Sequence, residues 1–353
     1  MLAVAGIACC GLSSALMTAG AVAYARRRSM FDLPGRRRSH AVPTPRGGGI
    51  GIVATVLAAI LLCWTPRVEG FALAGAIALV GAAGWIDDRR GLAARWRLLA
   101  HVVAVAVLLV PFAFIVVGRF CALPSTVSCA QIGAFVALLV AVGGLSMVWS
   151  INLHNFMDGI DGILAVQSSF VFAVAAIALA HLGSTREAVA AAVCLAATLG
   201  FLPFNFPRAK VFMGDVGSGV LGLLVALFVI VLSLRPGLAH ATGLIACSAF
   251  VIDATCTLLS RMLRGRRWYS AHREHLYQWL VRAGFSHARV VALYMGWNVL
   301  IVLPTLLWIN RSLAVSGGWL EAVGLHALGV ATWWSGKRWC LRRIANGGPH
   351  APA

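Results

Sequence analysis

Apolar residues in this chain gather in long runs and do not alternate with polar ones. The runs cover 2–24, 47–64, 70–86, 98–118, 131–149, 164–181, 187–203, 216–234, 238–258, 289–309 and 315–335. A helix needs about 20 apolar residues to cross the hydrocarbon of a bilayer. A membrane β-barrel would show short alternating segments instead. The pattern therefore predicts an all-α polytopic membrane protein, a bundle of about 11 transmembrane helices. The first run has no basic stretch before it and no small-residue cleavage site after it, so it reads as a retained span and not as a signal peptide.

Composition agrees: 60% of the 353 residues are hydrophobic and 11% charged, with a mean hydropathy of +0.88. A net charge of +18 on a soluble domain would suggest nucleic acid. Here no nucleic-acid partner is expected, because the basic residues sort by segment. Of the 29 lysines and arginines, 24 lie in 25–46, 87–97, 204–215, 259–289 and the tail from Lys337. By the positive-inside rule the N-terminus is periplasmic and the C-terminus cytoplasmic. The expected layout is one transmembrane domain over 1–335, with cytoplasmic loops 25–46, 87–97, 150–163, 204–215 and 259–289. A basic tail, 336–353, follows as an interface anchor with a disordered end. The nine cysteines are scattered without a Cys-x-x-Cys pair, and no cysteine metal set exists. Cys121 and Cys129 flank one outside loop and are the one candidate pair for a disulfide.

Polar clusters in such a chain tend to mark sites, since lipid makes uncompensated charge expensive. The central one is Asn152-Leu-His154-Asn155-Phe-Met-Asp158-Gly-Ile-Asp161-Gly162. Its two aspartates are three apart, a spacing that turns both to one side at a helix end. Asp87 and Asp88 are adjacent, so their mutual repulsion favours a cation beside them. Magnesium suits carboxylates combined with substrate phosphates. Arg97 follows within reach of a phosphate. Pro43-Thr-Pro45-Arg46-Gly47-Gly48-Gly49 offers backbone N–H groups for an anion beside Arg46, without the Gly-Lys-Ser/Thr of a Walker loop. In Phe212-Met-Gly-Asp215-Val-Gly-Ser218, Asp215 opens a helix and Phe212 is suited to stacking on a base or anchoring at the interface. His272, Arg273 and His275 lie on the largest basic loop and do not form a zinc-protease motif. For each cluster the plain alternative is a solvated cap or helix-entry turn. Asp253 is a lone carboxylate inside a span, functional or simply paired.

Taken together and in this order, Asp87-Asp88, Asn152-x-x-Asn155-x-x-Asp158-Gly-Ile-Asp161-Gly and Phe212-Met-Gly-Asp215-x-Gly-Ser218 resemble the polyprenyl-phosphate N-acetylhexosamine-1-phosphate transferase family. The resemblance runs from about Pro43 to Gln278. It implies a multi-pass enzyme of the bacterial inner membrane with its site on the cytoplasmic face. It implies magnesium as cofactor, with manganese as a substitute. The implied reaction joins UDP-N-acetylhexosamine and undecaprenyl phosphate, giving undecaprenyl-diphospho-sugar and UMP, to start a surface glycan such as O-antigen. In this reading Asp87, Asp88, Asp158, Asp161 and Asp215 are catalytic, and Asp215, Asp87 and Asp88 hold the metal. Arg46, Arg97, Asn152, Asn155, Phe212, His272, Arg273 and His275 bind substrate. His-Arg-Glu-His-Leu-Tyr-Gln lacks the three consecutive histidines of the peptidoglycan translocase branch and looks closer to the initiating transferases. Where lysine is frequent after the aspartate pair, this chain has Arg97. A homodimer is compatible with the sequence. The rivals are a transporter, which would show inverted repeats around a midplane site, and a lipid-phosphate phosphatase.

Overall fold

The computed structural model describes residues 2–32, 42–64, 67–122, 127–266, 272–311 and 317–347. Fourteen α-helices appear in chain order among them. They are α1 (Leu2–Arg27), α2 (Ile50–Cys63), α3 (Val68–Arg90), α4 (Ala94–Cys121), α5 (Cys129–Met157), α6 (Ile163–His181), α7 (Thr185–Asn205) and α8 (Asp215–Leu234). Then follow α9 (Thr242–Ala246), α10 (Ser248–Leu263), α11 (Leu276–Arg282), α12 (His287–Trp297), a π turn (Asn298–Val302), α13 (Leu303–Arg311) and α14 (Trp319–Ala345). One two-residue ribbon pairs β1 (Phe31–Asp32) with β2 (Thr44–Pro45) antiparallel. The chain is an all-α polytopic membrane protein. Seven of its described helices (α1 and α3 to α8), and α12 with the π turn and α13 taken as one, are long and apolar enough to span a bilayer.

Each predicted run contains helix, but three runs differ in detail. The second starts late, because Gly47–Gly49 is spent on a loop contact described below. The remaining 14-residue α2 is about 21 Å long, short of a full hydrocarbon crossing. The ninth breaks at Cys247 into α9 and α10. The eleventh extends through the basic residues to Ala345, so most of the expected tail is the end of α14. Arg36 to Arg38 lie outside the described residues.

α8 is the axis. Its residues from Val216 to Ala226 are all buried, and α2, α3, α5, α6 and α9 pack around it. The approach to α3 is close enough to require glycine: a Cβ on Gly84 would lie 2.4 Å from the Asp215 carbonyl carbon. The main core lines this axis, and a smaller one joins α9, α13 and α14 through Ile245, Ile309 and Leu325. At the far end, Cys121 and Cys129 are disulfide-bonded, with Cα atoms 5.3 Å apart.

Asp253 is paired, and it organises the last third of the chain. Its carboxylate on α10 accepts the Leu276 and Tyr277 N–H groups (2.8 and 3.3 Å), capping α11 from another helix. It also accepts the Thr257 hydroxyl (3.2 Å), the Tyr294 hydroxyl on α12 (2.6 Å) and the Trp333 indole N–H on α14 (3.0 Å). His275 Nδ1 sits 3.8 Å away. Removing one partner of such a buried network leaves the others unsatisfied, at a cost of about 3–5 kcal/mol. Asp253→Ala should therefore lower the thermal unfolding midpoint in detergent by several degrees, and Asp253→Asn by less. An unchanged midpoint for Asp253→Ala would show that the hub carries no stability.

Candidate active site

The site is assembled at one end of the bundle, from the C-terminal ends of α3, α5 and α7 and the N-terminal ends of α4, α8 and α12. Its keystone is Asp88, whose side chain is fully buried. One carboxylate oxygen accepts the Asp215 N–H (2.9 Å) and the other the Val216 N–H (3.1 Å). These are orphan donors at the first turn of α8, so Asp88 caps that helix from α3. The Arg46 guanidinium closes the arrangement, with Nε 2.7 Å from Asp88 and Nη2 2.8 Å from Asp215. Arg97 bridges the other side, 2.6 Å from Asp87 and 3.1 Å from Asp215. Burial disfavours the Arg46 charge, yet Asp88 and Asp215 outweigh it and hold the guanidinium above its ordinary pKa.

The glycine run places Arg46 there, but not as an anion cradle. The Gly48 N–H donates to the Phe212 carbonyl and the Gly49 N–H to the Met213 carbonyl, both at 2.9 Å, and the Phe212 N–H donates to the Pro45 carbonyl (2.8 Å). Two of the three glycine donors are thus spent on the protein itself, which corrects the expectation from sequence. The glycines serve close approach instead: a Cβ on Gly49 would lie 2.5 Å from the Gly217 Cα.

A cavity with about 870 Å³ of empty space, open to solvent, lies over this cluster. Arg46, Asn155, Asp158, Asp161, Phe212 and Asp215 line it. The sequence thus places its central motif, its late aspartate and its aromatic around one space. Asn155 donates to the Ser218 hydroxyl (3.0 Å), which fixes α5 to α8 beside Asp215. Burial, and after it the Asp215 charge, pushes the Asp158 carboxyl up to about 7.

Other expected residues sit elsewhere. Asp87, Asp88 and Arg97 are not in the cavity wall and act on it through Asp215. Asn152 is a turn back on α5, where it donates to the Val148 carbonyl (2.8 Å) and faces His101 of α4. His272, Arg273 and His275 are likewise outside the wall. His275 is buried against Asp253, and His272 stacks on it at 5.0 Å. Burial, with His275 and Arg261 adding to it, pushes the His272 imidazole down to about 4, so it is neutral at pH 7. The loop reaches the cavity two residues later. The Tyr277 hydroxyl donates to the Phe156 carbonyl (3.0 Å), and Gln278 lines the wall.

Asp32, Asn205 and His287 also line the cavity, and sequence reasoning did not select them. Asn205 accepts the Gly162 N–H (2.9 Å) and donates to the Val211 carbonyl (3.0 Å), tying two loops of the site together. His287 Nδ1 lies 3.2 Å from the Asp161 carboxylate. The only signal for His287 was a polar residue opening a helix just after Gly284-Phe285-Ser286.

The donor set fits a hard cation. Asp87, Asp88 and Asp215 pair with the two guanidinium groups, and Asp158 and Asp161 stand in the cavity wall with Asp215. Among the described residues no three potential ligands converge as a ready cage. Magnesium takes one or two carboxylates and completes its shell with water and substrate phosphates. Asp215 and Asp158 are the wall carboxylates that would hold it beside a phosphate.

Residues 70–233 match the sequence profile of glycosyl transferase family 4. The chain is 30% identical over 335 residues to a decaprenyl-phosphate N-acetylglucosaminephosphotransferase of Mycobacterium leprae, covering 82% of this chain and 81% of that protein. The chain belongs to this family of polyprenyl-phosphate sugar-phosphate transferases. An undecaprenyl-phosphate alpha-N-acetylglucosaminyl 1-phosphate transferase of Escherichia coli is 28% identical, over 76% of this chain and 74% of its own length. A phospho-N-acetylmuramoyl-pentapeptide-transferase of Shouchella clausii is 30% identical, over 71% and 79%.

Because α3 and α8 touch through backbone at Gly84, a single methyl there must push Asp88 away from the α8 N-terminus. Gly84→Ala should reduce turnover by at least tenfold, about 1.4 kcal/mol in the barrier. Gly118→Ala, whose Cβ meets nothing within 4 Å, should leave turnover unchanged. Equal rates for the two variants would refute the helix contact as the determinant of the site.

Proposed function

We propose that this protein transfers N-acetylhexosamine-1-phosphate from a UDP-sugar to undecaprenyl phosphate, releasing UMP, as the first step of a lipid-linked cell-surface glycan such as O-antigen. The observation that carries this reading is the single cavity joining Asp158, Asp161, Phe212, Asp215 and Arg46. Phe212 offers a face for uracil. Arg46 and the cation-seeking carboxylates suit a diphosphate. The expected side of the membrane is cytoplasmic: the segments around the cavity carry most of the basic residues. The disulfide at the opposite end of α4 and α5 fits an oxidising compartment there. Relatives of both the N-acetylglucosamine and muramoyl-pentapeptide types share this family. The His272-Arg-Glu-His275-Leu-Tyr-Gln278 stretch, without three consecutive histidines, favours an initiating enzyme.

In the mechanism, an oxygen of the lipid phosphate attacks the phosphorus that bears the sugar. The bond from that phosphorus to the UMP oxygen breaks, and UMP departs with the electron pair. The lipid phosphate carries nucleophilic oxygen at neutral pH, so no protein nucleophile is required. Phosphoryl transfer depends chiefly on positioning and charge neutralisation. Arg46, released from Asp215 toward a phosphate, lowers the repulsion between the two anionic substrates. Magnesium, held by Asp215 and Asp158, would supply stabilisation of charge on the leaving phosphate. Asp88 holds the α8 end, and Asp87 with Arg97 orients Asp215 from behind.

Three outcomes test this. Purified protein with UDP-N-acetylhexosamine and undecaprenyl phosphate should release UMP, and Asp215→Asn should abolish release while the protein folds and inserts. Inorganic phosphate as the product, or full turnover by the variant, would overturn the reading. Incubation with sugar-labelled donor and no lipid should leave the enzyme unlabelled. A competent labelled adduct on Asp87 or Asp88 would replace direct transfer with a covalent, ping-pong route.

The third outcome concerns pH. Asp158 is raised to about 7, so between the unfolded carboxyl value and pH 7 the native protein keeps a proton the unfolded chain has lost. That contribution to stability is present at acid pH and fades as pH rises through 7. A cation beside Asp158 favours the ionised form, so magnesium binding below pH 7 should release a proton and weaken as pH falls. Calorimetry in buffers of different ionisation enthalpy should show that release for the wild type and its loss in Asp158→Asn. Buffer-independent heats in the wild type would remove Asp158 from the cation's neighbourhood.

A further inference from the structure

The far side of α10 carries a second, separate feature. An apolar groove with about 1010 Å³ of empty space runs between α10, α11, α12, the π turn and α14. Ile252, Leu280, Leu293, Trp297, Leu300 and Trp333 line it, and it shares no residue with the catalytic cavity. Leu293 and Leu300 are largely exposed at its mouth, as expected of a wall open to lipid.

At the charged end of the same helices, Lys337 is 6% exposed. Its ammonium lies 4.5 Å from the centre of the Trp333 ring, which is itself part of the groove wall. The ring covers one face of the charge, but the Nζ donors have no hydrogen-bond acceptor among the described residues. The charges acting on Lys337 are Arg264, Arg266, Glu274 and Asp253. Neither carboxylate is available to it. Glu274 is shared by Arg261 and Arg266, and Asp253 is filled by its ring of N–H and O–H donors. A buried ammonium without a partner is costly, and here both nearby carboxylates are already engaged by other donors. The place lacks one anion.

We propose that the groove and Lys337 form a binding site for one anionic phospholipid, with its phosphate at Lys337 and an acyl chain along the groove. Basic pockets between transmembrane helices on the cytoplasmic side are a known way to hold anionic headgroups. The reacting lipid phosphate belongs in the other cavity, so a non-reacting membrane lipid is the occupant that fits. Asp253 touches both features: it binds Trp333 of the groove and caps α11, whose Gln278 lines the catalytic wall. An occupied groove thus braces the helix that supplies part of that wall. The lipid site itself does not depend on the transferase reading.

The test is lipid retention. Wild-type protein and Lys337→Met are incorporated into nanodiscs of phosphatidylcholine with phosphatidylglycerol, extracted in detergent and weighed by native mass spectrometry. The wild type should retain one phosphatidylglycerol, and Lys337→Met should bind it at least about tenfold more weakly, the loss of one charged hydrogen bond. Arg338→Met removes an exposed charge from the same helix and should retain the lipid like wild type. Thr332→Trp, which fills the groove without changing charge, should also expel it and covers the case in which Lys337→Met does not fold. Equal retention by wild type and Thr332→Trp, equal loss from Arg338→Met, or displacement of the bound lipid by stoichiometric undecaprenyl phosphate would each overturn the proposal.

Discussion

The site depends on one interaction, the buried Asp88 carboxylate capping α8 from the end of α3. A helix begins with N–H groups that its own backbone cannot satisfy. At α8 two of these point into protein and not into water, so an acceptor must come from elsewhere. Asp88 supplies both oxygens. The bond fixes the start of α8 relative to α3, and the start of α8 is Asp215. Arg46 then has two carboxylates at a set separation to bridge. Its own position follows from the backbone clasp between Gly48-Gly49 and Phe212-Met213. Phe212, Asp215 and Arg46 are thereby held by the same few contacts, which makes the aromatic, the acid and the base of the cavity one unit.

Asp253 repeats this device in the last third of the chain. It caps α11 from α10, as Asp88 caps α8 from α3. The two buried aspartates differ in what closes them: a guanidinium for Asp88, and neutral hydroxyl and indole donors for Asp253. In sequence Asp88 stands in a basic loop and Asp253 inside an apolar run, and neither position shows what fills the carboxylate. The partners do. A carboxylate whose lone pairs are filled by backbone N–H groups is a structural fixture. One that keeps lone pairs toward a cavity, as Asp158 and Asp215 do, remains open to a ligand.

Much of the site could be read from sequence because its residues sit in short polar islands within apolar runs. Islands stand out, and their helix-end position follows from the runs. What the islands do to one another was not legible. Asn152 and Asn155 are three apart on one helix, yet Asn155 meets Ser218 of α8 and Asn152 meets His101 of α4. Gly48 and Gly49 carry the composition of an anion loop but donate to carbonyls 164 residues away in the chain. Asn205 and His287 escaped because each is a lone polar residue near a helix end, where hundreds of such residues merely solvate a turn. In the same way the break at Cys247 left no mark, since both halves are equally apolar.

The capping of α8 also decides how phosphate can be bound. A free helix N-terminus is a ready anion site, and a loop rich in glycine before a helix invites that reading here. In this protein the first donors of α8 are already engaged by Asp88, and Asp215 places a further negative charge at the same end. The dipole of α8 therefore stabilises the protein's own carboxylates and contributes little to a substrate phosphate. In the reaction proposed above, the anion would be met by mobile or added charge, namely arginines that exchange one carboxylate for a phosphate oxygen and a cation drawn by the surplus of acid. A site arranged this way would repel a diphosphate until the cation is present and bind it afterward. The clustered carboxylates would then act as a condition on substrate binding as well as a ligand set.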